Sequence, residues 1–351
     1  MQNMNRIVVP TGYMSSGSSA VTDLVSEMDG FVAKQDTFEY VFLHCPNGVF
    51  DLEDKLLVGN NAVRSDEALH SFLHTMKQLY DKKYWWVGHY KEYVGERFWT
   101  DTEEYVRSLT QYTPDFYWYY QENCNAAMIR KLVVRKLVGL ITLGKVRLKK
   151  PLLYDNMLLS YVSPEEFYNR TKTYLGKVWE ASGLSEQNII LDQLLLPFNL
   201  HRIGNYFDDN IEVFVVERDP RDVFLENKYI YPQRNEMVPF PTEARAFAEC
   251  YRRLREMEKP AESDHVHRVR FEDLIYRYDE TSKRICEILQ VTESGHARRR
   301  TKFIPEKSIR NTQLFLRRPE LQVEVQPIEE LLAEYLYPFP YEYRYDGGET
   351  F

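Results

Sequence analysis

The opening of the chain constrains its fold more than any other segment. A short apolar run, Ile7-Val8-Val9, leads directly into a Gly/Ser loop, Gly12-Tyr-Met-Ser-Ser-Gly17-Ser18-Ser19. Ala20, Val21, Leu24, Val25 and Met28 then recur at the spacing of one helical face. A strand that turns through a flexible loop into a helix is half of a βαβ unit. It commits the chain to an α/β sheet whose ligands sit at the carboxyl ends of the strands.

Later segments extend the same pattern. Phe38 to Leu43 reads as a second strand, ended by Cys45-Pro46-Asn47-Gly48. Asn188 to Asp192, Ile211 to Val216 and Val266 to Phe271 read as further strands. Ser163-Pro164-Glu165-Glu166 carries a cap, a first-turn proline and acidic residues, and opens a helix that runs to about Ala181 and stops at Gly183. Residues 66–83, 102–122 and 126–143 read mostly as helices. The expected architecture is a P-loop-like three-layer α/β fold with a central, mainly parallel sheet. One domain covers 1–351, with a helical insertion at about 66–150 on the acceptor side.

The loop has the glycine spacing of a Walker A sequence, G-x-x-x-x-G-K-[ST], but Ser18 stands where the lysine belongs. Two glycines still let the backbone bend. The N–H groups of Ser16, Gly17, Ser18 and Ser19 can still cradle a phosphate at the helix start. Without the lysine that serves β- and γ-phosphates, a triphosphate donor is disfavoured. Read alone, the loop is equally an ordinary helix cap.

A second anion signal is Val215-Val216-Glu217-Arg218-Asp219-Pro220-Arg221-Asp222, an apolar strand that ends in a turn with two arginines. Arg218 is placed to grip a phosphate bidentately. The alternative is that Arg218 and Arg221 pair with Asp219 or Asp222 in a capped turn.

Taken together, these segments resemble the PAPS-dependent sulfotransferases (PAPS is 3′-phosphoadenosine-5′-phosphosulfate), as a bacterial, carbohydrate-type member. In that family a strand-loop-helix like Pro10 to Ala20 holds the 5′-phosphosulfate. An R-x-P-[RK]-D turn, matched by Arg218, Pro220, Arg221 and Asp222, holds the 3′-phosphate. Arg270-Phe-Glu-Asp-Leu274 is similar to the family's "yEDL" strand end. Phe303-Ile-Pro-Glu-Lys-Ser308-Ile-Arg310-Asn311-Thr312 is similar to the late segment of bacterial members. The four segments keep the family's order. Two positions depart from it: Ser15 stands where the family often has a lysine, and Glu226 where it has a 3′-phosphate-binding serine. A carboxylate beside a phosphate would repel it, so either the helix register differs there or Glu226 points away, and Asn227 is the nearest neutral replacement for that serine. The resemblance implies PAPS as co-substrate, no metal, and nucleotide contacts from Ser308 and Arg310. The basic run Arg298 to Arg310 would close over the nucleotide, or would simply be a solvated surface.

Sulfuryl transfer needs a base for the acceptor hydroxyl or amine. In carbohydrate members of the family a glutamate just after the second strand often serves, and Glu39 lies at a similar distance from the loop. His44 is the second candidate and Asp51 the third.

The net charge of −8 argues against a nucleic-acid binder. Four scattered cysteines form no C-x-x-C pair, so neither a zinc site nor a disulfide framework is expected. Residues 1–6 lack the apolar stretch of a signal peptide and no run is long enough to span a bilayer, which together predict a cytoplasmic chain. The 26 tyrosines and Trp85, Trp86, Trp99 and Trp118 suit stacking on a carbohydrate or lipid-linked glycan, and suit a core equally well. The Lys/Arg-rich apolar stretch from Met128 to Lys150 reads either as a core helix with a charged face or as a peripheral membrane contact. Two other functions stay open: a kinase or other phosphotransferase, and a non-catalytic nucleotide-binding protein of the same fold.

Overall fold

The structure is a computed structural model that describes residues 5–34, 38–81, 87–114, 126–146, 148, 156–183, 186–234, 238–261 and 263–345. The chain forms two compact units. One comprises Met1–Cys45, Leu79–Phe98 and Leu175–Phe351; the other comprises Pro46–Gln78 and Trp99–Tyr174.

The first unit is built on a five-stranded sheet: β1 (Ile7–Gly12), β2 (Phe31–Ala33), β3 (Asn188–Ile190), β4 (Ile211–Glu217) and β5 (Val266–Arg270). Every pairing is parallel, in the order β2-β3-β1-β4-β5. β1 is central, and all six of its residues are buried. Strands covered on both faces need no polar alternation, which is why Ile7-Val8-Val9 and Val213 to Val216 read as unbroken apolar runs. Val8, Phe214 and Val216 share one core with Val21, Leu24 and Val25 of helix α1 (Ser19–Ser26) and with Met28 just beyond it. A second core gathers Val223, Phe224 and Leu225 with Phe247, Tyr251, Leu314 and Ile328. The P-loop-like α/β class expected from the sequence is the observed one, and the sheet is parallel throughout.

The second strand is not where the sequence placed it. Phe38 to Leu43 forms no strand, and β2 is instead the three-residue segment Phe31–Ala33. Near its end the apolar run folds into a turn, with the His44 and Cys45 N–H groups donating to the Val41 carbonyl. Its side chains are buried among aromatic rings. Phe38 packs on Tyr40, Tyr90 and Tyr93, and Phe42 packs on Tyr90, Phe98 and Trp179. Burial, and not sheet pairing, accounts for its composition.

In the second unit, Tyr105 stacks on Tyr174 at 4.6 Å and shares a hydrogen bond with the Thr171 hydroxyl. Tyr174 is likewise bonded to Thr102. The Asp66 carboxylate accepts the Leu158 N–H. Fully buried tyrosines in both units (Tyr40, Tyr90, Tyr105, Tyr174, Tyr251) show that part of the tyrosine excess fills cores. Trp99 lies under the Lys77 ammonium, 4.5 Å from its ring centroid. Trp85, Trp86 and Trp118 lie outside the described residues. No described helix is long and apolar enough to cross a membrane.

Candidate active site

The strand order reverses direction around β1, with β3 on one side and β4 on the other, which opens a crevice at the carboxyl end of the sheet. The Gly12–Ser19 loop leaves β1 into this crevice. Both glycines are demanded by close approach. A Cβ on Gly12 would lie 2.5 Å from the Val216 carbonyl oxygen, and one on Gly17, at φ +80°, would lie 2.8 Å from the Phe271 ring. Ser15 also has positive φ, at 64°. The loop is tied down from three sides. The Ser16 N–H donates to the Tyr13 carbonyl at 2.8 Å. Gln193, just past β3, donates from Nε2 to the Ser18 hydroxyl oxygen at 2.8 Å. Asn227 donates from Nδ2 to the Ser15 hydroxyl oxygen at 2.8 Å, and that hydroxyl donates in turn to Tyr231. The buried Ser16 hydroxyl has no partner, and Ser19 is exposed at the start of α1, where the Ala20 and Val21 N–H groups donate to the Gly17 and Ser18 carbonyls.

Arg218 follows β4 and is only 4 % exposed. It donates to the Ser15 carbonyl at 2.9 Å and to the Asn311 carbonyl at 2.6 Å, and its guanidinium lies 5.1 Å from the centroid of the Phe271 ring. The segments singled out in the sequence therefore meet at one residue. Of the two alternatives for Glu226, pointing away is not the one observed: its carboxylate is hydrogen-bonded to Arg218. The helix Pro220–Leu225 widens into a π turn over Glu226–Ile230, with the Tyr231 N–H reaching back five residues to the Glu226 carbonyl. That turn carries both the carboxylate on Arg218 and the Asn227 amide on Ser15. Burial works against the charged guanidinium, and the negative charges of Glu226, Asp222 and Glu272 outweigh it, so Arg218 is held more firmly protonated than usual.

Arg221 is committed elsewhere. It grips Asp219 through two bonds of 2.9 and 2.7 Å and reaches Glu329 at 2.8 Å. The turn is rich in acid, but two of its carboxyls resist ionising. Burial, together with the charge of Asp219, pushes Asp222 up to about 7 and Glu272 up to about 8.

Of the late segment, Asn311 is the residue that touches the turn. Among the described residues Ser308 and Arg310 make no hydrogen bond to the loop, and the Arg310 side chain is exposed. The basic run before it is anchored from below. The buried Glu27 carboxylate accepts the N–H groups of Arg300, Lys302 and Phe303, with His296 also on it at 3.2 Å. A segment held by its backbone in this way is part of the wall of the first unit, and not a flap over it.

A different chemistry occupies the β2–β3 side. Glu39 is half-buried, and its carboxyl is pushed up to about 8, first by burial and then by the charge of Asp192. Asp192, just past β3, is itself pushed up to about 7 by burial. This persists although Thr22 donates a hydrogen bond to Oδ2 at 3.2 Å. Its Oδ1 is buried with no partner. Both carboxyls therefore hold their protons up to near-neutral pH. His44 is a weaker base. Burial pulls it down to about 4, and its Nε2 is bonded to the Gln193 carbonyl at 2.8 Å, which fixes that nitrogen as the donor. Asp51 lies in the second unit, where its carboxylate accepts the Asn47 N–H at 2.7 Å and closes the turn before the helix Val49–Leu57. Asp192, Gln193, Asn311 and Glu27 were not singled out by sequence reasoning. Only Asp192 carried a signal, as a carboxylate ending an apolar run.

No family model matches the chain, and no curated protein matches it. Matching solved structures include the sulfotransferase domain of the curacin biosynthetic pathway, at 12% identity, covering 97% of this chain and 94% of that one, with a TM-score of 0.35. The sulfotransferase domain of the Synechococcus PCC 7002 olefin synthase matches at 12% identity over 97% and 98% of the two chains, with a TM-score of 0.38. Sulfotransferase STF9 from Mycobacterium avium matches at 13% identity over 97% and 78%, with a TM-score of 0.36.

Proposed function

We propose that this chain is a sulfotransferase that moves a sulfuryl group from PAPS to a hydroxyl or amine of a carbohydrate or lipid-linked glycan. One observation carries the reading: the lysine-free Gly12–Ser19 loop, the Arg218 turn and the Phe303–Thr312 segment converge on a buried guanidinium at the switch point of the sheet. In this reading the N–H groups from Ser16 to Ser19 and the Ser18 and Ser19 hydroxyls take the charge that builds on the leaving 5′-phosphate. Glu39 removes the acceptor proton. Its raised affinity for a proton, due first to burial and then to the charge of Asp192, makes it a stronger base than an ordinary carboxylate. Arg218 and Asn227 hold the 3′-phosphate once Glu226 gives up its place. The absence of a lysine at Ser18 weighs against a kinase.

A second reading is favoured by the Glu226 carboxylate on Arg218: a protein of this fold that does not take a 3′-phosphate nucleotide at that turn. Thermal shift with 3′,5′-adenosine bisphosphate and with ATP separates the two. The sulfotransferase reading requires stabilisation by the bisphosphate. It also requires Glu226→Gln to tighten that binding, by about tenfold for relief of one like-charge contact. Stabilisation by ATP alone would sink it. Indifference to the bisphosphate in both the parent and Glu226→Gln would support the second reading.

A further inference from the structure

The helix Ala126–Ile141 and the turn after it use none of the chemistry above, yet they hold the most unusual surface among the described residues. Of the sixteen large apolar side chains that stand well exposed, nine fall between Ile129 and Leu148. Ile129, Val133, Leu137, Leu140 and Ile141 follow helical spacing and form one outward stripe, while Met128 is turned inward. Leu143, in the turn beyond, is 88 % exposed. The segment 126–150 contains eight Lys or Arg and no Asp or Glu, in a chain whose net charge is −8. Arg130, Lys131 and Lys136 are exposed on the same helix as the stripe.

We propose that this segment is a membrane-docking helix that lies in the interface of an anionic phospholipid surface, its apolar stripe among the acyl chains and its cations among the headgroup phosphates. The combination of charge and exposure selects this occupant. A stripe of bare aliphatic side chains is costly in water and finds nothing apolar on a phosphate-rich nucleic acid. A second copy of the chain would bring the same cations against one another. An anionic bilayer satisfies both parts of the surface at once. The helix is about 24 Å long and carries charge along its length, so it lies on the surface and does not span it. The inference is independent of the activity proposed above.

Co-sedimentation of the full chain with vesicles tests it. One set is phosphatidylcholine alone; the other is equimolar phosphatidylcholine and phosphatidylglycerol. The chain is expected to bind the second set and not the first, and to be released as salt rises. At about fivefold per cation near an anionic surface, Arg130→Glu with Lys136→Glu weakens binding by roughly 25-fold or more. Leu137→Ser with Leu140→Ser also releases the chain, whereas Val323→Ser, an exposed apolar residue outside the segment, leaves binding unchanged. Circular dichroism and thermal melts check that each variant is folded. Failure to bind either set overturns the proposal, as does equal binding to both. A lipid-free dimer that the two leucine substitutions dissolve would reassign the stripe to self-association and overturn it as well.

Discussion

Two carboxylate sites flank the loop after β1, and they are built in opposite ways. On the β4 side Glu226 meets Arg218, and opposite charges satisfy each other in a buried pair. On the β3 side burial disfavours the charge of both Glu39 and Asp192, and the charge of Asp192 adds to the effect on Glu39. The first arrangement holds structure, because each partner would be stranded without the other. The second holds a proton near neutral pH, because a buried acid ionises reluctantly. The same residue type is thus a fastener at one edge of the crevice and a titrating group at the other. The difference is set by what stands opposite it.

Four substitutions break or sharpen this contrast. Glu39→Gln keeps the shape of the like-charged side and removes its base; sulfuryl transfer should fall by about 10²–10⁴-fold in steady-state assays. Near-parental turnover would move the base elsewhere. Arg218→Ala strands the Glu226 carboxylate and leaves the Ser15 and Asn311 carbonyls without their donor; denaturant unfolding should show a loss of about 3–5 kcal/mol. Adding Glu226→Ala should recover part of it, since the orphaned charge is then gone. Bisphosphate binding should weaken in Arg218→Ala even where the protein remains folded.

Asp192→Asn has the smallest effect and the sharpest signature. The pH–rate profile of kcat/KM should keep its form while its acid limb, governed by Glu39 at about 8, moves to lower pH. Stability reports the same coupling. An acid whose folded-state value is raised binds more protons folded than unfolded, so stability is full below its usual value and is lost as pH climbs through the folded one. The parent should therefore lose stability between about pH 4.5 and 8, and Asp192→Asn should flatten that slope, by on the order of 1–3 kcal/mol at its top. An unchanged slope would show that Asp192 and Glu39 do not titrate together.

Strands buried in the middle of a sheet are legible in a sequence because little interrupts their apolar run, and β1, β3 and β4 were read in this way, whereas β5 is an edge strand, Val-His-Arg-Val-Arg, with only Val269 buried. β2 was missed because Phe-Val-Ala is too short to show any period, while Phe38 to Leu43, buried all round by aromatic rings, imitates one. The helix from Pro164 carried its own punctuation and was placed to within a residue at its end. The loop and the Arg218 turn could be found from glycine spacing and from the arginine beside a proline. The direction of Glu226 could not. It depends on a single π turn, and an inserted turn of that kind leaves no mark on composition. The coupling of Glu39 to Asp192 was equally hidden, since it joins residues far apart in the chain that come together only after folding, where the Tyr40 N–H donates to the Asp192 carbonyl.

The central place of β1 has a consequence for how the chain comes into being. Its two sheet partners begin at Asn188 and Ile211, roughly two hundred residues downstream of Ile7. At about 5–20 residues per second of synthesis, an apolar strand emerges and waits some tens of seconds before either neighbour exists. During that interval its edges are open to any other extended chain. Nascent copies of this protein should depend on holding chaperones, most strongly when translation is slow.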